Sequence, residues 1–209
     1  MIQPIVEGHG EVKAVPLLLR RFLAEAGVFD LRIGTPIRRR RPELVREDSL
    51  RRTVELARRQ PGCSAILVLF DGDDDCPREL APTIEQWASD AAASLPCAVV
   101  MAHREYEAWF LAAIESLVGP AGLPEDAPRW GDPEAPRDAK GLLERVMFAT
   151  SSYHAIVDQP SLTARFDLPT AFRRSRSFRR MTSAFGSLLR ARGTDVAVWP
   201  PEQWTLAQP

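Results

Sequence analysis

The order of apolar and polar positions along the chain predicts an α/β fold built around one central strand. Residues 66–70 form an unbroken apolar run, which lies between Pro61-Gly62 and Gly72. Such a run is typical of a strand buried on both faces, as in a parallel sheet covered by helices. We therefore predict a central strand at 64–70.

Strands and helices are predicted to alternate on both sides of this strand. Further strands are predicted at 2–6, 28–37 and 96–102, and helices with apolar residues at helical spacing at 12–26, 48–60, 82–94 and 103–118. This order predicts an open, mostly parallel four-stranded sheet with helices on both faces.

The second half of the chain predicts helices with one added strand. Five prolines and three glycines in residues 119–137 predict a loop. Beyond it we predict helices at 138–149 and 178–192, a mixed stretch at 150–170 and a strand at 194–199. The chain is thus predicted to comprise an α/β domain at 1–118, a Pro/Gly-rich loop at 119–137, and a mainly helical elaboration at 138–209 that packs on the same domain.

Composition narrows the class of protein. The chain has 209 residues, of which 45% are hydrophobic and 26% charged, and a net charge of −1. These values are ordinary for a globular protein and exclude a uniformly basic nucleic-acid binder. The sequence has no apolar run of membrane-spanning length, no secretion-signal pattern, and three widely separated cysteines that match no zinc or disulfide framework. We expect a cytoplasmic protein with no membrane partner; assembly into a homo-oligomer is left open.

Acidic residues follow three of the predicted strands at the point where each strand ends. These are Glu7 and Glu11, Asp71 and Asp73, and Glu105 and Glu107. Ligands of open α/β sheets bind beyond the carboxyl ends of the strands, and neighbouring strands lie about 4.8 Å apart. The acids can therefore converge in one pocket, where oxygen-only ligands suit Mg²⁺ or Mn²⁺. Each pair alone is also compatible with a turn or a first helical turn.

Asp71 and Asp73 are expected to act as a pair. Residues i and i+2 of an extended segment point to the same side, about 7 Å apart, so both carboxylates could hold one cation or two. Gly72 allows a sharp turn between them. Asp74 and Asp75 add further negative charge.

Basic residues are mostly arginines and form two clusters. Only Lys13 and Lys140 are lysines, which is consistent with a GC-rich genome and equally with phosphate recognition. A nucleic-acid substrate needs a basic surface, and the candidates are Arg38, Arg39, Arg40 and Arg41, together with Arg173, Arg174, Arg176, Arg179 and Arg180. Pairing with carboxylates or simple solvation explains such clusters equally well.

Two acidic motifs in their strand context resemble those of the Toprim domain. They are Val6-Glu7-Gly8-x-x-Glu11 after the first strand and Asp71-x-Asp73 after the apolar strand. Toprim is the catalytic fold of topoisomerases, primases and nucleases of the overcoming-lysogenization-defect type. Segments 105–110 and 175–178 are similar to those of an uncharacterised branch of Toprim-like bacterial proteins, which are often encoded beside an ATPase in suspected phage-defence clusters.

This resemblance implies a Mg²⁺- or Mn²⁺-dependent nuclease that hydrolyses DNA or RNA, with an ATPase as partner protein. It implies that Glu7 is a general base or metal ligand and that Glu11 is the second catalytic acid. It also implies that Asp71 and Asp73 bind metal, and that Glu105 or Glu107 completes a second metal site.

Two other functions are compatible with the sequence. Asp71-x-Asp73 also resembles the nucleophile motif of haloacid-dehalogenase-like phosphatases, although that motif normally follows the first strand. A Toprim-like module without catalysis, which binds metal or nucleic acid or regulates a partner, is the third hypothesis.

Overall fold

A four-stranded, all-parallel sheet forms the centre of the protein. The computed structural model describes residues 1–119, 123–147, 152–196 and 198–206. The strands lie in the order β2-β1-β3-β4. They are β1 (Ile2–Val6), β2 (Ile37–Arg38), β3 (Ala65–Asp71) and β4 (Cys97–Ala102). The predicted α/β class and open parallel sheet are confirmed.

The strand register brings the carboxyl ends of the strands to one edge. Val6 lies opposite Arg38 on one side and Leu69 on the other. Asp71 lies opposite Ala102. The residues that follow β1, β2, β3 and β4 therefore all begin at the same edge of the sheet, as the sequence predicts.

Both faces of β3 are buried, because its side chains alternate between two apolar clusters. Leu67 and Leu69 belong to one cluster, and Val68 and Phe70 belong to the other. The first face is covered mainly by α1 (Glu11–Glu25) and α9 (Arg176–Ala191), and the second by α3 (Glu47–Arg58) and α4 (Pro77–Ala92). Helices on both faces follow from the continuous apolar run in the sequence.

The remaining helices are short. They are α2 (Arg41–Leu44), α5 (Ala108–Ala112) with a 3₁₀ turn at Ile114–Leu117, α6 (Ala139–Val146), α7 (Ala155–Thr163), α8 (Leu168–Arg174) and a 3₁₀ turn at Glu202–Trp204. The predicted mixed stretch is α7 followed by the start of α8. The predicted helix at 103–118 begins later, because Arg104 adopts a positive φ of 60° and the chain turns first.

The second predicted strand is much shorter than expected. Residues 28–36 contribute only one isolated bridge to the sheet, between Ile33 and Ile2. Pro36 has no N–H to donate to a ladder. The Thr35 carbonyl accepts a hydrogen bond at 2.7 Å from the Gln3 side chain instead of from a strand. Regular pairing is therefore limited to β2.

The predicted strand at 194–199 is wrong for the residues that the structure describes there, 194–196 and 198–199. Trp199 instead packs into an aromatic cluster, with ring centroids 5.4 Å from Phe22 and 5.1 Å from Phe185. Burial of this large ring against α1 and α9 replaces pairing at a sheet edge.

Some predicted positions lie outside the described residues: 120–122 of the loop, 148–151 at the end of one helix and the start of the mixed stretch, 197 of the last strand, and 207–209. In the described ranges, no helix is both long and apolar enough to cross a membrane. Cys63, Cys76 and Cys97 are all unpaired.

Candidate functional site

Acids from the ends of β1 and β3 meet at the carboxyl edge of the sheet. Glu11, in the first turn of α1, accepts hydrogen bonds through Oε2 from the backbone N–H groups of Glu7 at 3.0 Å and Gly8 at 3.2 Å. Glu7 Oε2 in turn accepts from the backbone N–H of Asp71 at 3.3 Å. The turn between β1 and α1 thus holds its two acids against the end of the central strand.

A fourth acid comes from the segment after β4. Asp71 Oδ1 accepts a hydrogen bond at 2.8 Å from the backbone N–H of Tyr106, which positions the next residue, Glu107, beside the cluster. Glu107 Oε1 accepts from the Tyr153 hydroxyl at 2.7 Å and from Gln159 Nε2 at 3.5 Å. The start of α7 and the residues before it therefore hold Glu107 in place.

These acids face a cavity of about 550 Å³, which we call the acidic cavity. Glu7 is not among the lining residues, but its carboxylate is held next to one of them by its hydrogen bond from the Asp71 backbone N–H. The side chains that line it include four acids, one lysine and two polar groups of the α7 region: Glu11, Asp71, Glu105, Glu107, Lys140, Tyr153 and Gln159. The predicted convergence of acids from three strand ends is thus present in the fold.

Burial and nearby negative charge raise the pKa values of Glu7, Glu11, Asp71 and Glu107, which we call the four central acids. Desolvation is the main cause for each of them. It raises the pKa of Glu11 to about 8, with Glu7 and Glu107 adding repulsion. It raises the pKa of Asp71 well above its ordinary range, helped by the charges of Glu11, Glu107 and Glu7. The pKa values of Glu7 and Glu107 are raised as well.

The cluster lacks a compensating ion pair. Arginines at this edge pair with Asp73, Asp74 and Asp75, whereas none of the four central acids forms an ion pair with a described residue. Carboxylates that are crowded and unpaired favour either a shared proton or a bound cation.

The side-chain oxygens of the central acids and of Gln159 are the kind of ligand that a hard divalent cation prefers. Each central acid uses one oxygen in the hydrogen bonds above, and its other oxygen has no hydrogen-bond partner within the described part of the chain. Gln159 is 4% exposed, and its buried Oε1 also lacks a partner there. However, no three His, Cys, Asp or Glu side chains of the described residues are already grouped as ligands of one ion. Binding a cation would therefore require these side chains to rotate toward it.

Asp73 does not join the acidic cavity, so the prediction that Asp71 and Asp73 point to the same side is wrong. The backbone N–H of Gly72 bonds to the Ala102 carbonyl, and Asp73 then adopts a φ of 47°. The extended geometry ends at Asp71 as a result. The Asp73 carboxylate turns outward and pairs with Arg41 Nε at 2.9 Å.

Glu105 lines the acidic cavity but has a separate structural contact. Its Oε2 accepts a hydrogen bond at 2.9 Å from the backbone N–H of Lys140 at the start of α6. This contact anchors α6 beside the cavity and places Lys140 on its wall.

The first arginine cluster lies at the same edge as the acids. Arg38 Nη1 bonds to the Glu7 carbonyl at 3.3 Å, and the Arg39 backbone N–H bonds to the Val6 carbonyl at 2.9 Å. Arg40 is exposed. Arg41 is committed to Asp73 and Asp75. Basic groups therefore flank the acidic cavity on the β2 side.

The second arginine cluster is bound within the protein and does not line the acidic cavity. Arg174 pairs with Glu115, Arg176 with Glu134 and Arg180 with Glu85, while Arg173 and Arg179 donate to main-chain carbonyls near the ends of α8 and the 3₁₀ turn. Pairing with carboxylates, one of the two alternatives for this cluster, accounts for Arg174, Arg176 and Arg180, and main-chain hydrogen bonds hold Arg173 and Arg179.

Sequence reasoning missed Tyr153 and Gln159. Both lie in or beside a stretch whose pattern gives no clear period, and neither belongs to an acidic motif. Only the packing of α7 on α1 brings them to Glu107. No signal in the single sequence identifies them.

The protein is thus of the parallel α/β class, and it has an acidic cavity at the carboxyl ends of its strands. A family profile described as a domain of unknown function, DUF4276, matches residues 6–185, and the chain belongs to this family. The match includes every acid of the cavity. Comparisons with curated proteins and with solved structures found no match.

Proposed function

We propose that this protein is a nuclease of the Toprim-like type that depends on Mg²⁺ or Mn²⁺ and hydrolyses phosphodiester bonds in the acidic cavity. The observation that carries the proposal is the convergence of Glu7, Glu11, Asp71 and Glu107, none of which has an ion-pair partner among the described residues. A purely structural role does not explain why acids from three strand ends meet here, with Glu11 and Glu107 almost fully buried.

The raised pKa values support a cation as the natural counter-charge. Such carboxyls tend to hold protons when no positive charge is near, and a divalent ion would favour their ionised forms. Asp71 and Glu11 would be its principal ligands, with Glu7 and Glu107 beside them. When bound, such an ion lowers the pKa of a water molecule and stabilises the negative charge of the leaving oxygen.

The residues around the acids hold them in position for this chemistry. The Tyr106 N–H fixes one oxygen of Asp71, and the Tyr153 hydroxyl fixes one oxygen of Glu107, which leaves the second oxygens to face the reactants. Glu7, with its raised pKa, is suited to accept a proton from an attacking water. Lys140 places a positive charge on the wall of the cavity, where a phosphate would lie.

The basic groups at the edge support a nucleic acid as the substrate. Arg38 ends β2 and donates a hydrogen bond to the Glu7 carbonyl, and Arg39 and Arg40 follow it directly in the chain. A polyanionic substrate needs basic groups beside the acids, since the acids alone would repel its phosphates. The Asp71 nucleophile of the phosphatase hypothesis gains no support, because Asp73, its expected partner, faces Arg41 instead.

A cleavage assay with matched variants tests the proposal. Plasmid, linear DNA and RNA are incubated with Mg²⁺ or Mn²⁺ and wild type, Asp71→Asn or Asp73→Asn. We expect Asp71→Asn to lower the cleavage rate about a hundredfold, the scale seen when one electrostatic contact to a transition state is removed. Asp73→Asn should retain most of the wild-type rate, because Asp73 is outside the cavity lining and acts on the site only through its charge near Glu7.

Undiminished cleavage by Asp71→Asn would remove this residue from the site. Cation binding by the wild type with no cleavage of any of the three substrates would favour the non-catalytic module instead.

A further inference from the structure

The outer edge of β4 presents main-chain groups that no described residue of the protein bonds to. The backbone N–H of Ile66 bonds to the Pro96 carbonyl, and that of Gly72 bonds to the Ala102 carbonyl, both at 2.8 Å. In a parallel ladder, every second residue of a strand directs both its N–H and its C=O toward the same neighbouring strand. These two bonds show that the even-numbered residues of β4 are the ones that bond to β3. The N–H and C=O groups of Cys97, Val99 and Met101 therefore point away from the sheet.

These outward groups are largely buried. Val99 is 2% exposed and Met101 is 4% exposed, yet no described residue bonds to their outward N–H or C=O groups. Buried main-chain groups in folded proteins are almost always paired. Within the described ranges, the edge of β4 thus lacks the hydrogen bonds that would complete it.

A groove runs along this edge between α4 and α9, and we call it the β4 groove. It consists of two cavities of about 450 and 390 Å³ that share Arg180. Cys97, Ala98 and Val99 line the first, and Met101 and His103 line the second. Its walls beside the strand carry small side chains: Ser89 on α4, and Ser183, Ala184 and Ser187 on α9.

We propose that the β4 groove receives an extended peptide segment of a partner protein, which adds to the sheet as a strand next to β4. Strand addition supplies the missing main-chain hydrogen bonds, and the small wall residues leave room for its side chains. A second copy of this chain fits less well, because its own β4 is recessed between its own α4 and α9.

The charge of the groove indicates one property of that peptide. Around His103, the lining includes Arg78, Arg176 and Arg180. Glu134, the one acid there, accepts hydrogen bonds from Ser175 and Ser177 and pairs with Arg176, while Arg180 pairs with Glu85 across the groove. Arg78 has no ion-pair partner in the described part of the protein. We therefore expect the peptide to carry an aspartate or glutamate at the end that lies beside His103.

Selection from a phage-displayed library of random heptapeptides tests this inference on the full chain. The baits are wild type, Ser183→Trp, whose indole fills the groove, and Thr83→Trp, which introduces the same indole at an exposed position of α4 outside the lining. We expect wild type and Thr83→Trp to enrich peptides with an acidic end, and Ser183→Trp to lose binding about tenfold or more. Ser187→Trp serves as a second groove variant if Ser183→Trp does not fold.

Hydrogen exchange then locates the bound peptide. An enriched, synthesised peptide should slow exchange of the Val99 and Met101 amides, which in the isolated protein should exchange faster than those of Val100 and Ala102. The inference is overturned if no peptide is enriched over Ser183→Trp, or if protection falls elsewhere. Concentration-dependent dimerisation that protects Val99 and is lost in Ser183→Trp would also overturn it, in favour of a second copy.

Discussion

At the scale of single residues, the burial of Glu11 couples the acidic cavity to the stability of the protein. Its pKa in the folded protein is about 8, against an ordinary value of 4.5. A group whose pKa is raised by folding stabilises the protein fully below its unfolded pKa and loses that contribution as the pH rises through the folded pKa. The free energy of unfolding should therefore fall between pH 4.5 and pH 8.

Glu11→Gln should remove much of this pH dependence. The amide oxygen can still accept the hydrogen bonds of Glu7 and Gly8 but carries no charge. We expect the variant to be more stable than wild type at pH 8, on the order of 1 kcal/mol or more, and similar to it near pH 4.5. Urea unfolding across this range measures the effect, with Glu144→Gln at an exposed position as control. If the free energy of unfolding changed with pH equally in wild type and Glu11→Gln, the role of the Glu11 charge in this pH dependence would be contradicted.

The contrast between Asp71 and Asp73 shows what the sequence can and cannot predict of a site. The apolar run before Asp71 places it at the carboxyl edge of the sheet. Where the extended geometry stops, however, depends on a bond from Gly72 to β4 and on the arginine that attracts Asp73. Both partners are distant in sequence, so periodicity along one strand does not contain this information.

At the scale of elements, the contact between α1 and α7 positions the polar wall of the acidic cavity. A Cβ atom at Gly10 would lie 2.2 Å from Gln159 Oε1 and 2.4 Å from the Ala155 carbonyl oxygen. The main-chain contact cannot be relieved by a side-chain rotation. The start of α1 and the start of α7 therefore require glycine at this position.

Gly10→Ala should separate α7 from α1 and destabilise the protein by about 1–3 kcal/mol, the usual cost of overpacking. Chemical unfolding measures this cost. Gly131→Ala is the matched control, since a Cβ there meets nothing within 4 Å, and it should change stability by less than about 0.5 kcal/mol. Equal stabilities of Gly10→Ala and Gly131→Ala would show that the contact is not tight.

Elements with strong periodicity were predictable, and elements decided by tertiary contacts were not. The apolar run of β3 and the helical spacing of Val15, Leu18 and Phe22 in α1 reflect burial directly, so both elements form close to their predicted bounds. The chain at 194–199 has the alternation of a strand, but the gain from burying Trp199 against Phe22 and Phe185 outweighs pairing at an edge.

At the scale of the whole molecule, an aromatic cluster ties the end of the described chain to the sheet-covering helices. Trp204 is 1% exposed, and its ring centroid lies 6.0 Å from Phe22 on α1, 5.9 Å from Phe172 on α8 and 5.5 Å from Trp199. This one side chain connects three parts of the chain that are far apart in sequence.

Trp204→Ala should therefore lower the free energy of unfolding by about 3–5 kcal/mol, because it leaves a large cavity in the cluster. Leu206→Ala, at a side chain that is 64% exposed, is the control and should be nearly neutral. Equilibrium unfolding followed by circular dichroism, which does not depend on the removed tryptophan, compares the two. A loss below 1 kcal/mol in Trp204→Ala would mean that the C-terminal segment is not integral to the fold.

Binding of Mn²⁺, followed by the loss of the free-ion electron paramagnetic resonance signal, tests the central claim most directly. We predict that wild type and Asp73→Asn bind the ion alike, and that Asp71→Asn binds it about tenfold or more weakly. The account would be contradicted if wild type left Mn²⁺ free, or if Asp71→Asn and Asp73→Asn bound it equally.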